Sequence, residues 1–210
     1  QPAAARAHFE AALALEPTYL TAARKLAELD VTSGDTDSAR QRYLAVLKVD
    51  SQNTEALLDL ATLDDSLGRA DSAEEILTKA SAGAPNDYRP RLRLVRKYLA
   101  RGLGTRALAV GREAYTLAPD REDVLAAFIS AALTKNGLEQ ALEAARQFVK
   151  RNPRSAEGHY HLAVLSYMIG NAEQGQEALR ETIALDPKHI RARISLVNRT
   201  LVGDPPRALQ

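Results

Sequence analysis

One small residue recurs along this 210-residue chain at a constant interval. Ala39, Ala73, Ala107, Ala141 and Gly175 each follow the previous member by 34 residues. An interval of this length is typical of a two-helix unit that is repeated along a chain. Such units bury their apolar faces on their neighbours, so the chain needs no single central core. The interval therefore predicts an all-α solenoid, and it points to binding rather than catalysis.

Each interval carries the pattern of two helices separated by a glycine turn. In the first interval the apolar stripe of the first helix is followed by Gly34, which can end a helix because glycine accepts a positive φ. The second helix is predicted over Ser38 to Val49, with Ala39 on its apolar face. The turn glycine recurs at Gly68, Gly102 and Gly170. It shifts to Gly137 in the fourth interval, which predicts a first helix one residue longer there.

These signals divide the chain into one array, 1–210, of five full repeats and two partial ones. Prolines such as Pro17 and Pro85 close the second helices, because proline cannot continue a helix. The count is twelve helices. The repeats are 20–53, 54–87, 88–121, 122–155 and 156–189, with a half repeat at 1–19, the first helix of a further repeat at 190–203 and a tail at 204–210.

Composition excludes several classes of function. The chain has 28 basic and 27 acidic residues, so its bulk charge gives no reason to expect binding to nucleic acid or to a membrane surface. It lacks cysteine, which excludes disulfides and thiolate metal sites. No apolar run is long enough to span a membrane. Since the chain begins without Met inside a repeat, we expect it to be a fragment of a longer protein.

The aligned residues resemble the tetratricopeptide repeat (TPR) family over essentially the whole length of the chain. The family's small and large signature residues are matched by Leu26-Ala27, Gly34, Ala39 and Tyr43 in the first repeat. This resemblance implies a right-handed superhelical α-solenoid of antiparallel helix pairs, whose first helices line a concave face. Arg91 and His159 stand where the family has a large apolar residue, so we expect looser packing around them.

Two stretches also resemble the TPR lipoproteins of bacterial exopolysaccharide and exosortase (PEP-CTERM) systems. They are Glu139–Ala145 and Ala156–Leu162. The resemblance implies a bacterial protein that is periplasmic or attached to the outer membrane. A cytoplasmic location stays open.

No pattern of catalytic, cofactor-binding or metal-binding residues stands out. His159 and His161 are two apart on a helix and point about 200° apart, so they cannot share a metal ion. The sequence Gly102-Leu103-Gly104 follows no strand and precedes no Gly-Lys-Thr, so it is not a phosphate loop. We therefore predict that the chain is not an enzyme and binds neither cofactor nor metal.

Two blocks of opposite charge occupy the second and third repeats. Residues 54–75 carry seven acids against Arg69, and residues 88–106 carry seven basic residues and no acid. One interpretation is charge complementarity between neighbouring first helices, worth less than ~1 kcal/mol for each exposed pair. The other is that Arg89, Arg93 and Arg96 line the groove and contact an acidic partner.

Helical spacing also predicts groove residues in the last two repeats. The fourth repeat contributes Ser130 and Leu133 among others, and the fifth contributes Tyr160, Val164 and Tyr167. The two tyrosines are seven residues apart and so share one face. An alternative is that they pack against the next helix, at Ile194 and Leu201.

We predict a non-catalytic protein–protein interaction scaffold that binds a peptide or protein in its concave groove, in a bacterial cell-envelope or exopolysaccharide assembly. One alternative is the regulatory or substrate-recruiting arm of a larger enzyme, such as a glycosyltransferase. Another is direct binding of an anionic polysaccharide. Exposed apolar faces at the two ends also allow a homodimer. Gly137, His159 and Gly175 depart from the repeat pattern, and they direct the search for a partner toward the C-terminal repeats. We also expect the fifth repeat to be the least stable, because Gly175 lowers helix propensity.

Overall fold

A computed structural model describes residues 2–203, and the side chains of residues 3–198. The described residues form twelve α-helices and no strand, which confirms the predicted all-α class. The tail 204–210 lies outside them. The helices are α1 Pro2–Leu15, α2 Leu20–Thr32, α3 Thr36–Val49, α4 Thr54–Ser66, α5 Ala70–Gly83, α6 Tyr88–Ala100, α7 Gly104–Leu117, α8 Glu122–Leu133, α9 Leu138–Arg151, α10 Ala156–Met168, α11 Ala172–Leu185 and α12 Ile190–Gly203.

The chain forms two compact units, which divide between Lys97 and Tyr98 inside α6. The N-terminal unit ends at Lys97 and the C-terminal unit begins at Tyr98. Each even-numbered helix from α2 to α10 is the first helix of a predicted repeat, and the helix after it is the second. The repeat boundaries themselves remain a prediction.

Each first helix ends in the same hydrogen-bonded turn. In the first repeat Gly34 has φ +84°, its N–H donates to Val31 O, and the N–H of Asp35 donates to Asp30 O at 2.9 Å. This pair of bonds is the Schellman motif, which satisfies carbonyls that the end of the helix leaves open. It explains why a residue with a positive φ recurs every 34 residues.

The fourth repeat keeps this turn without a glycine at its left-handed position. Asn136 has φ +55°, and the N–H of Gly137 donates to Ala132 O at 2.9 Å. The left-handed residue is therefore still in register, because asparagine tolerates this conformation better than most residues. The prediction of a longer first helix was wrong, since α8 has 12 residues where α2 and α10 have 13.

The small residues of the 34-residue column lie where the two helices of a repeat meet. Ala39, Ala73, Ala107 and Ala141 are fully buried. At Gly175 a β-carbon would lie 2.8 Å from three ring atoms of Tyr167, so the ring occupies the space that a methyl group has in the other repeats. Gly175 thus makes room for a neighbouring side chain in addition to allowing the helices to approach.

The polar residues at the family's large apolar position are held by hydrogen bonds. Arg91 Nη1 donates to Asp87 O at 3.0 Å, in the turn before α6. The Nε2 atom of His159 lies 3.0 Å from Pro153 O, in the turn before α10. Both side chains turn back and hydrogen-bond to the loop that enters their own helix, and the looser packing around them stays a prediction.

Two buried aspartates join neighbouring repeats in the N-terminal unit. Asp64 is fully buried, accepts two hydrogen bonds from Arg40, at 2.9 and 3.2 Å, and accepts one from Ser72 at 2.6 Å. Asp30, one repeat earlier, is paired with Arg6 and Arg42. A buried carboxylate needs such partners because an unpaired buried charge is costly.

The Gly175–Tyr167 contact predicts that one substitution has opposite effects in two backgrounds. Gly175→Ala should destabilise the chain by about 1–2 kcal/mol, because displacing the ring outweighs the gain in helix propensity. The variant Tyr167→Leu removes the ring and places at this position the residue that the fourth repeat has, since Leu133 and Ala141 are the equivalents of Tyr167 and Gly175. In that variant, Gly175→Ala should stabilise the chain by up to ~1 kcal/mol. Urea unfolding followed by circular dichroism measures both free energies. The same sign in both backgrounds would contradict this account.

The Arg40–Asp64 pair predicts that removing its buried carboxylate lowers the stability of the chain and that a second substitution restores most of it. Asp64→Ala should destabilise by about 2–3 kcal/mol, because it leaves the half-buried guanidinium without its partner. The double variant Arg40→Leu/Asp64→Ala copies Leu108 and Ala132, which occupy the equivalent positions two repeats later, and should recover most of that loss. Thermal and urea unfolding of both variants provide the measurement. A double variant no more stable than the single one would refute the prediction.

Candidate functional site

A cavity of about 440 Å³ opens between the two complete first helices of the N-terminal unit. The helices α2 and α4 each supply a stripe of residues at helical spacing, and Tyr43 of α3 lies between them. The residues that line the cavity are Arg24, Ala27, Glu28, Val31, Thr32, Tyr43, Asp59, Thr62, Leu63 and Ser66. Among them, Arg24, Glu28, Val31 and Thr62 occupy positions that correspond, two to four repeats earlier, to those of groove residues predicted in the fourth and fifth repeats.

An ion-pair network crosses one side of this cavity. Arg24 of α2 donates to Asp59 and, at 2.9 Å, to Glu55, both on α4. The hydrogen bonds that Arg24 donates to Asp59 and Glu55 raise the pKa of Arg24, although partial burial opposes them. The bonds from Arg89 and Arg24 lower the pKa of Glu55. The two helices are therefore held together by a guanidinium that already has two carboxylate partners.

Tyr43 places a hydroxyl at the cavity without a hydrogen-bond partner. The residue is 9% exposed and lines the cavity, and none of the described residues hydrogen-bonds its hydroxyl. Burial, followed by the negative charge of Asp59, raises the pKa of Tyr43. The hydroxyl thus stays neutral and can both donate and accept a hydrogen bond.

The arginines predicted to contact a partner are mostly used within the protein. Arg89 donates to Asp87 and to Glu55, and Arg93 donates to Leu58 O at 2.6 Å and to the hydroxyl of Thr62. Lys97 pairs with Asp65 in the same way. These contacts match the interpretation of the charge blocks as complementarity between neighbouring first helices. Arg96 is exposed.

The predicted groove residues of the C-terminal unit differ in exposure and in the contacts that they make. Ser130 is exposed and donates to Ala126 O at 2.8 Å, while Leu133 and Val164 are half-buried. Tyr167 packs on Gly175 of α11. Leu133, Tyr160 and Tyr167 all pack against the core of this unit, so the two tyrosines do not form a free aromatic stripe.

Tyr160 belongs to a cluster at the start of α12. Its ring lies 4.8 Å from the ring of His189, and Arg191 lies over it at 4.9 Å. His189 is buried and accepts the N–H of Ala192 through Nδ1, so it caps α12, and Arg191 pairs with Glu157. Tyr160 therefore packs at the start of α12, and the residues that it contacts there are His189 and Arg191. Of the alternative contacts, Ile194 is exposed and the side chain of Leu201 lies outside the described residues.

The described residues contain no group of three His, Asp or Glu side chains that could hold a metal ion. His161 is half-buried, and burial lowers its pKa. In the part of the chain that the structure describes, no helix is long and apolar enough to cross a membrane.

Sequence reasoning missed the cavity because it assigned Tyr43 to the apolar face of α3. The equivalent residues in the later repeats are Leu77, Gly111, Ala145 and Leu179. Tyr43 is the one member of this column with a polar tip, and that is the signal that could have marked the site.

Several solved structures resemble this chain in fold at low sequence identity. MamA from Desulfovibrio magneticus RS-1 is 18% identical, with a TM-score of 0.62 over 83% of this chain and 97% of that one. YrrB, described as a TPR protein with an unusual peptide-binding site, is 18% identical, with a TM-score of 0.64 over 89% and 96%. A TPR protein from Parabacteroides merdae is 18% identical, with a TM-score of 0.69 over 92% and 77%. At this identity the likeness shows the fold alone.

No curated protein matches the chain in sequence. Two family models described as tetratricopeptide repeat do match it. One covers residues 1–50 and 31–98, and the other covers residues 127–190, so that together they account for well over half of the chain. The chain belongs to the tetratricopeptide repeat family.

Proposed function

We propose that this chain is a non-catalytic scaffold that binds a peptide or protein partner on the surface of its first helices. The observation that carries the proposal is the cavity between α2, α3 and α4, whose walls combine apolar and charged residues. Its volume of about 440 Å³ lies within the range of small-ligand sites, a few hundred to about 1,000 Å³. An open cavity along two helices suits a side chain that projects from an extended peptide.

The fold likeness supports this proposal in general terms. YrrB, which resembles this chain in fold, has a peptide-binding site by its description. Family membership supports interaction with proteins, since stacked helical repeats present extended binding surfaces.

We retain the residues selected from sequence as proposed partner contacts, unit by unit. In the N-terminal unit they are Arg89, Arg93 and Arg96. Arg96 is the best placed of the three, because it is exposed while the other two donate to α4. In the C-terminal unit they are Ser130, Leu133, Tyr160, Val164 and Tyr167, of which Ser130 is exposed and the others are partly covered.

We also propose that the protein works in a bacterial cell-envelope or exopolysaccharide assembly. The support is the resemblance of Glu139–Ala145 and Ala156–Leu162 to the TPR lipoproteins of those systems. Fractionation of cells that produce the natural protein at its normal level tests this proposal. We expect the protein in the envelope fractions, and recovery only with the cytosol would refute this part of the proposal.

Filling the cavity should abolish peptide binding if the cavity anchors the partner. Ser66→Trp places an indole at the cavity wall, and we expect it to weaken the binding of selected peptides at least ten-fold by excluding them. The peptides come from a random dodecapeptide display library that is panned on the whole chain, and fluorescence anisotropy measures their affinities.

The matched control is Thr78→Trp on α5. Thr78 and Ser66 are both exposed and donate to a carbonyl of their own helix, but Thr78 does not line the cavity. Equal binding by the two tryptophan variants would show that the cavity is not the anchoring site. Failure of the library to yield any binder would count against the proposed function as a whole.

A further inference from the structure

We propose that the cavity between α2, α3 and α4 binds a cationic side chain, lysine or arginine, of the partner peptide. This inference rests on the proposed function and specifies the chemistry of its anchoring residue. The anchoring group of the partner is thus positively charged, whereas the basic block at residues 88–106 suggested an acidic partner.

The first observation is the surplus of negative charge at the cavity. Among the charged residues that line it, Arg24 is the cation, and Glu28 and Asp59 are the anions. Arg24 already donates from Nε to Asp59 and from Nη2 to Glu55. An incoming carboxylate would have to compete with both of these acceptors, whereas an incoming cation meets carboxylates that can accept further hydrogen bonds.

The second observation is the Tyr43 hydroxyl, which is independent of the acidic residues. It belongs to a residue that is 9% exposed, it has no partner among the described residues, and its oxygen is not one of the fully buried unpartnered atoms, so water or a ligand can reach it. A polar group in this situation is normally satisfied by water or by a ligand. Tyr43, Asp59 and Glu28 all line this cavity, so one occupant can meet the hydroxyl and both carboxylates.

The third observation is the apolar part of the wall. Ala27 and Val31 of α2 and Leu63 of α4 line the same cavity. Lysine and arginine have long apolar stems that pack on such surfaces while the charged head group reaches polar partners. The combination of an apolar wall, two carboxylates and a phenolic hydroxyl therefore fits one of these side chains better than it fits an aliphatic or an acidic one.

Other charges near the cavity leave this balance in place. Lys25 forms a 2.9 Å pair with Glu28 within α2, but both side chains are more than half exposed. Such exposed pairs contribute little and exchange readily with a competing cation. Arg93 lies next to Thr62, and its Nη1 donates to that hydroxyl and to Leu58 O.

The experiment compares cationic and neutral versions of one peptide on the complete chain. Peptides recovered from the dodecapeptide library are synthesised with each lysine or arginine replaced in turn by norleucine, which keeps the apolar stem and removes the charge. In the unmodified protein we expect one such replacement to weaken binding about ten-fold, the value for a hydrogen bond to a charged group.

The variants Asp59→Asn and Tyr43→Phe identify the groups responsible. Asp59→Asn should reduce the ten-fold preference for the cation to less than about two-fold, and Tyr43→Phe should reduce it partly. The matched control Glu75→Gln removes one exposed carboxylate from α5, outside the cavity, and should leave the preference unchanged. Circular dichroism verifies that each variant keeps its helical content.

The outcomes separate this inference from the proposed function. Peptides whose binding is blocked by Ser66→Trp but does not depend on any cation would overturn the inference and leave the function intact. A cation preference that Asp59→Asn does not change, or a preference for aspartate or glutamate at the anchoring position, would also overturn it. A library that yields no binder would overturn both.

Discussion

The rest of the structure depends on the close approach of the two helices within each repeat. This approach requires a residue without a bulky side chain at one point of every second helix, and the four alanines of the column are fully buried there. Because interiors are close-packed, a size change near this point must be matched by a neighbour. Gly175 with Tyr167 is one matched pair. Gly158 with Phe148 is another, since a β-carbon on Gly158 would lie 2.8 Å from the Phe148 ring. Both pairs involve the fifth repeat, so its departures from the pattern compensate for one another.

Most of the fold could be predicted from the sequence because its signals are local. Apolar spacing, turn glycines and prolines act within a few residues, and they gave the helices and the class of fold. An error arose where one local requirement had two chemical solutions. Gly137 suggested a shifted turn, but Asn136 takes the left-handed conformation and keeps the register. Arg91 and His159 stand where the family has a large apolar residue, and each contacts a carbonyl in the preceding turn, which apolar patterns do not encode.

Less of the candidate site could be predicted, because it depends on which side chains meet across helices. The sequence places opposite charges on neighbouring first helices, and the structure pairs them, as with Arg89 and Glu55. Residue spacing alone could not decide whether the arginines contact the acidic residues of the neighbouring first helix or a binding partner. Tyr43 was missed for a different reason. A tyrosine ring satisfies an apolar pattern whether or not its hydroxyl is hydrogen-bonded, so the polar tip of a buried aromatic residue becomes informative only once its neighbours are known.

Binding chemistry in a repeat protein should lie where packing does not dictate the residue. The column that starts at Leu26 is apolar and buried in all five repeats, because any other choice would disrupt the core. The column that starts at Glu28, two positions away on the same helices, has no common chemistry, and its members are Glu28, Thr62, Arg96, Ser130 and Val164. These positions are half-buried or exposed, so the residue at each can change without a compensating change in the core. The first two members line the cavity beside Tyr43. Within each unit, every repeat therefore presents a different side chain at this position of its first helix.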